Sequence, residues 1–355
     1  MTRLAQLDRR AALALVGVLL LLIGYGLAGP SAPAPHPSHG PAHGDAALYR
    51  AIDARMTAGE GYYRAAAEEQ RLRRYPLRPF VTVRLPTLSW LAAAAGPAGA
   101  LLLLRLLVVA TIAATIVRIR QAVAAPPLRV AACVLAAACA VPFAQPVLAL
   151  WHEMWAGLLV ALALACRSPT RWWPSVLIGL AAALMREIAL PFLLVMACAA
   201  MVERRRGEAF GWVAAIGAFA LAMAAHAVAV HAVSTPQDLA SPGWSGLGGW
   251  RFVLVVARDC SLLRAVPMPV AAILVPLALL GWAAWPGGYA ARAALALGAW
   301  SCAFMAVGRP DNFYWGLLMA PILPIGLVLA IPALADLVRQ LAPRSRAPQA
   351  LAGAA

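Results

Sequence analysis

Apolar residues recur along this chain in runs close to twenty residues long, separated by short stretches rich in arginine, proline and glycine. Runs of that length match the hydrocarbon thickness of a bilayer. Their Ala and Leu content lacks the alternation of a barrel strand, so the pattern predicts membrane helices. Spans are predicted at roughly 11–28, 98–117, 128–147, 151–166, 211–232, 266–285, 289–307 and 313–336. Between Trp173 and Val202 the apolar pattern is interrupted by "MREIALP", where Pro191 kinks or breaks a helix. That stretch is one long kinked span or a hairpin of two short ones.

Arginine placement decides between the two. With a hairpin there are about ten spans, and Arg118, Arg120, Arg129, Arg167, Arg171, Arg204–Arg206, Arg292, Arg339, Arg344 and Arg346 all fall on the side of the N-terminus. With a single span the later loops invert, so the hairpin is preferred. Each half is then about 14 residues, or about 21 Å of helix, which is short for a 30 Å core and suits a helix facing protein or a wet cavity. The expected architecture is an all-α polytopic transmembrane bundle occupying 1–355, with both termini cytoplasmic, in a bacterial inner (plasma) membrane. A first external loop covers 30–95, a second covers 233–264, and 337–355 is a cytoplasmic tail.

Composition agrees: 63% of the 355 residues are hydrophobic and 12% are charged. All 29 basic residues are arginines, which reflects a GC-rich genome more than a function. The net charge of +15 follows from topology and implies no nucleic-acid partner. The six cysteines form no CxxC and sit mostly in apolar runs, as packing residues do. His36, His39 and His43 lie in a proline-rich linker without the preorganisation a zinc site needs.

The topology has a further consequence. Asp45, Glu60, Glu153, Glu187, Asp238, Asp259 and Asp311 all come out at or near the face opposite the N-terminus. Charged groups in membrane segments are costly and mark function. The stretch "HGDAALYRAIDARMTAGEGYY" predicts a helix capped by Asp45 and ended by Gly59, lying in the interface with Leu48, Ile52 and Met56 on one side. The loop arginines (Arg50, Arg55, Arg64, Arg71, Arg73, Arg74, Arg78 and Arg84) oppose the positive-inside tendency. Pairing with Asp53, Glu60, Glu68 and Glu69 accounts for some, and an anionic lipid or phosphate ligand for the others. Glu153 in "WHEMWAGLL" lines a cavity or sits among anchoring tryptophans. Arg186 and Glu187 in "LMREIALP" pair with each other or serve the same site. Arg309 and Asp311 in "VGRPDNFYWG" form a turn or face the same pocket as Asp45.

Asp45, Tyr49, Gly59, Tyr62, Arg84, Pro86 and Trp90–Leu91 together resemble the first external loop of the GT-C glycosyltransferases, over about residues 44–95. The resemblance implies a membrane enzyme that moves a sugar from a polyprenyl-phosphate donor to an acceptor at the external face. Asp45 would be the general base; Arg84 and Arg309 would stabilise the departing phosphate, and Glu60, Tyr62, Glu153, Glu187 and Asp311 would bind substrate. The family often shows a paired acid at this site, whereas Ala46 follows Asp45 here, which leaves a divalent cation open. A transporter or lipid flippase, and a catalytically silent lipid-binding relative, are the competing readings. The first would want internal repeats and charges at the membrane midplane.

Overall fold

The computed structural model describes residues 1–28 and 44–342, so the linker histidines His36, His39 and His43 and the last tail residues lie outside the described residues. Thirteen α-helices form among the described residues: α1 (Arg9–Leu27), α2 (Asp45–Thr57), α3 (Tyr62–Leu72), α4 (Thr87–Ala122), α5 (Pro126–Ala140), α6 (His152–Cys166), α7 (Trp173–Met185), α8 (Leu190–Val202), α9 (Arg206–Val233), α10 (Gly249–Asp259), α11 (Met268–Ala284), α12 (Gly288–Ala306) and α13 (Ile325–Leu341). No strand forms among them beyond one isolated bridge, Arg78 with Ala240. Four stretches are long and apolar enough to cross a membrane: Arg9–Leu27, Phe80–Ala122, Pro126–Ala144 and Arg206–Val233. Shorter apolar helices, α6, α7 and α11 among them, complete the bundle.

The stretch between Trp173 and Val202 is a hairpin. Arg167, just before α7, reaches Glu203, just after α8, at 3.2 Å, so the chain enters and leaves at the same end. Met185 ends α7, Arg186 is extended, and Pro191 sits in the first turn of α8, where its missing N–H costs nothing. A charged network ties that end together. Arg167 donates to both oxygens of Glu208 at 2.9 and 2.8 Å, and Arg292 donates to both oxygens of Glu203 at 2.9 and 2.8 Å. Arg118 of α4 donates to Ala165 O at 2.8 Å, and the backbone N–H of Thr2 donates to Asp336 at 2.7 Å.

Three spans begin or end differently from the apolar pattern. α4 starts at Thr87, and Gly96 with φ 69 breaks it before Pro97, so its first turns form a separate short helix at the loop end. α5 stops at Ala140, because Pro142 and Pro146 turn the chain into the 3-10 segments Val141–Ala144 and Pro146–Leu150. The last helix begins at Ile325 rather than near 313. Pro310, Pro321 and Pro324 withhold amide hydrogens, and Pro310–Leu318 forms a 3-10 segment inside the bundle. The tail expected from 337 is still helical to Leu341, and Gln340 donates to Ala5 O at 2.7 Å.

The first loop is a folded unit. Leu48, Tyr49 and Ile52 of α2 pack on Tyr62, Ala65 and Ala66 of α3, and on Leu77, Val83 and Val230. The apolar side of α2 therefore faces protein, where the sequence pattern predicts a helix lying in the interface. α10 departs likewise from a simple surface helix: Trp250 and Phe252–Ala257 are buried.

Arg167 is 8% exposed and Glu208 is 1% exposed, so Arg167→Ala leaves a buried carboxylate without its two-pronged partner. The expected loss is about 3–5 kcal/mol, read as a lowered melting midpoint of the detergent-solubilised chain. Glu203→Gln, at a more exposed position, should lower the midpoint less; equal losses would count against the network as the clamp of that end.

Candidate functional site

Asp45 is the first residue of α2, not its cap. Gly44 precedes it with φ 98, and no side chain caps the helix. The Asp45 carboxylate is therefore free for another partner: Tyr75 Oη donates to its Oδ1 at 3.0 Å. Burial, then the charge of Asp45, pushes the Tyr75 hydroxyl well up from its ordinary value, so it stays protonated and keeps donating.

Arg84 lies within electrostatic reach of Asp45 and Glu153, yet it forms no ion pair among the described residues. Its Nε donates to Tyr49 Oη at 3.2 Å, and its Nη2 to Tyr314 Oη at 3.4 Å. Tyr62 Oη donates to the Arg84 carbonyl at 2.7 Å, which fixes the backbone that presents the guanidinium. Burial raises the Tyr49 hydroxyl too, so both tyrosines serve as neutral oxygens.

Behind Arg84 stands the start of α6. Glu153 is fully buried and takes Arg186 Nε on one oxygen, while its Oε2 has no partner among the described residues. Arg186 also holds Glu187, so the hairpin tip is fastened to α6 through one guanidinium. His152 is 2% exposed, neither ring nitrogen has a partner among the described residues, and its ring meets Tyr49 edge-on at 4.9 Å.

Tyr314 arrives from the Pro310–Leu318 segment. Gly157 of α6 allows the approach: a Cβ there would sit 2.3 Å from Leu317 O. A Cβ on Gly316 would sit 2.1 Å from Val256 O of α10. Both positions need hydrogen for the segment to enter the bundle.

Five of the expected site residues thus come together: Asp45, Tyr62, Arg84, Glu153 and, through Arg186, Glu187. Three do not. Arg309 and Asp311 pair with each other through two bonds at 3.1 and 2.9 Å, and Arg309 also donates to Gly243 O. Glu60 pairs with Arg55 at 2.6 Å and with Arg64 at 3.6 Å, beyond the C-terminus of α2 and about 20 Å along the helix from Asp45. Glu68 and Glu69 join that cluster, with Arg55, Arg64 and Arg73, as the pairing expected for the loop arginines. Tyr75 and Tyr314 were missed by the sequence reading; one precedes a proline and the other sits among belt aromatics, and neither context signals a carboxylate or guanidinium partner.

The first and second loops interlock with each other. Arg71 donates to both oxygens of Asp238 at 2.7 and 2.8 Å, and the N–H groups of Leu77 and Arg78 donate to Leu239 O. A metal ion would need more ligands than Asp45 brings. No group of three His, Cys, Asp or Glu side chains gathers among the described residues, so the donor set for a divalent cation is not assembled.

Comparisons of the chain with family models, with curated proteins and with solved structures return no match.

Two outcomes follow. Gly157→Ala should drive Leu317 away from α6 and loosen Tyr314, lowering the melting midpoint; an unchanged midpoint would mean that the segment shifts freely. The Arg71 hydrogen bonds hold the Asp238 carboxyl down to about 2, below its ordinary 3.8. Its stabilisation is thus complete above about pH 4 and is lost as pH falls toward 2. Nitroxide labels on α3 and the 234–248 loop should show a broadened distance distribution in that acid window. Asp238→Asn should broaden it already at pH 7.

Proposed function

We propose that this chain is a membrane glycosyltransferase of the GT-C type, with about ten spans, both termini cytoplasmic and its site at the external face. The observation that carries the reading is the pairing of a carboxylate and a guanidinium that are not neutralised by each other. Asp45 is oriented by Tyr75, and one of its oxygens takes no protein hydrogen bond among the described residues. Arg84 is held by two tyrosine hydroxyls and keeps its charge for an incoming anion. The resemblance over residues 44–95 supports the same roles.

The chemistry balances as a single displacement. Asp45 accepts the proton of an acceptor hydroxyl while that oxygen bonds to the anomeric carbon of the donor sugar. The bond from that carbon to the phosphate oxygen breaks, and the electron pair leaves with polyprenyl phosphate. Arg84 stabilises the charge that develops there. The Glu153–Arg186–Glu187 group braces the floor of the site, and no metal-dependent step is invoked. A transporter would want its charged groups at the midplane; the acids that surround Arg84 gather at one end of the bundle.

Liposomes carrying the chain and a radiolabelled polyprenyl-phosphate sugar provide the test. Asp45→Asn should lower transfer by on the order of 10²–10⁴-fold, the range of a lost general base. Glu60→Gln should leave it near wild type. Undiminished transfer by Asp45→Asn would remove the assignment of the base.

A further inference from the structure

Arg105 is a charge set on an apolar wall. It is exposed on α4, as are Leu102, Leu103, Leu106 and Val109 around it. Among the described residues of the four long apolar stretches, it is the one exposed charged residue more than two helical turns from a helix end or break. It stands about 13 Å along the axis from the break at Gly96. Its Nε donates to Ala144 O at 3.4 Å, and neither Nη has a partner among the described residues.

The level of this guanidinium can be read from its neighbours. Helical side chains lean toward the N-terminus of their helix, and the N-terminus of α4 lies at the end of the bundle that carries Arg84. Ala144 closes the apolar stretch Pro126–Ala144, so the guanidinium sits where that stretch gives out. Beyond it the chain runs through exposed Gln145 and the 3-10 segment Pro146–Leu150, which touches α2 and leads into His152 and Glu153. Val141 and Val147 are exposed on the same flank.

We propose that Arg105 binds the phosphate of an anionic membrane lipid, seated along the seam where α4 packs on residues 141–150. An arginine at this depth keeps its charge and needs hydration or an anion. Its free Nη pair matches phosphate oxygens. A symmetric contact between two copies of this face would bring arginine toward arginine, with no carboxylate from either side. The segment Pro146–Leu150 at that seam also touches α2, the helix that begins with Asp45, so the seam offers a lateral path for a lipid substrate. That last clause rests on the transferase reading; the phosphate site does not.

The test places the full chain in phosphatidylcholine nanodiscs with a minor guest, either phosphatidylglycerol or a polyprenyl phosphate, and counts retained guest by native mass spectrometry. The wild-type chain should enrich at least one guest. Arg105→Gln should cut that enrichment about five-fold, the effect expected of one basic residue at an anionic lipid surface. Arg105→Lys should keep part of it, and Glu60→Gln, in the separate acid cluster, all of it; retention is read without turnover, which separates this site from the fate of the transferase reading. Enrichment of the polyprenyl phosphate alone assigns the site to a lipid substrate, and of phosphatidylglycerol alone to a structural lipid; both support a phosphate site. Equal retention of both guests by monodisperse wild-type and Arg105→Gln proteins overturns it. So does a change of oligomeric mass in Arg105→Gln without a change in lipid.

Discussion

A guanidinium and a carboxylate withdrawn together from water fix the end of the bundle where the proposed site lies. Arg186 is 2% exposed and Glu153 is 0% exposed, and neither is tolerable there without the other. Their contact joins the tip of the α7–α8 hairpin to the first turn of α6, so two elements more than thirty residues apart in sequence hold one position. The opposite end of the bundle repeats the device with Arg167 and Glu208, again crossing from a hairpin end to a neighbouring helix. Short helices cannot rely on length to fix themselves in hydrocarbon. Here they are fixed at both ends by buried ion pairs, and their middles are left apolar.

The first loop is anchored by different means. It has its own apolar cluster, built from one side of α2, one side of α3 and the loop end of α9, and it is tied to the second loop by backbone bonds and by the Arg71–Asp238 pair. These ties give Asp45 a fixed place beside Arg84. A carboxylate at the start of an untethered surface helix would have no such neighbour.

Tyrosine oxygens do the electrostatic sorting at the site. Four of the eight loop arginines are committed: Arg55, Arg64, Arg71 and Arg73 have carboxylate partners. Arg84 is surrounded instead by hydroxyls too deeply buried to ionise, which hold the fork without cancelling its charge. Asp45 accepts a hydrogen bond from Tyr75 in the same way. The two opposite charges thus stay separate, an arrangement that suits the proposed transfer.

The local grammar of the chain was enough to define its class and most of its helices. Twenty-residue apolar runs demand helices, arginine placement chose the hairpin, and Gly59, with φ 95, ends α2 as its position foretold. Glu153 and Glu187 were marked because a charge beside hydrocarbon is costly wherever it sits, Asp45 and Arg84 as loop charges that also carry the resemblance, and Tyr62 by the resemblance alone. What the chain alone left open was who meets whom. Asp45 as cap or as open carboxylate, Glu60 in the pocket or in a distant cluster, and Arg309 facing inward or closing on Asp311 are all compatible with the same local pattern. The start of the last helix, moved from 313 to Ile325, depended on how Pro321 and Pro324 are buried. Tyr75 lies thirty residues from Asp45, and Tyr314 lies 230 residues from Arg84. Periodicity acts over a turn or two of helix, whereas hydrogen bonds of that separation exist only once the loops have docked, so the tertiary structure alone decided the composition of the site.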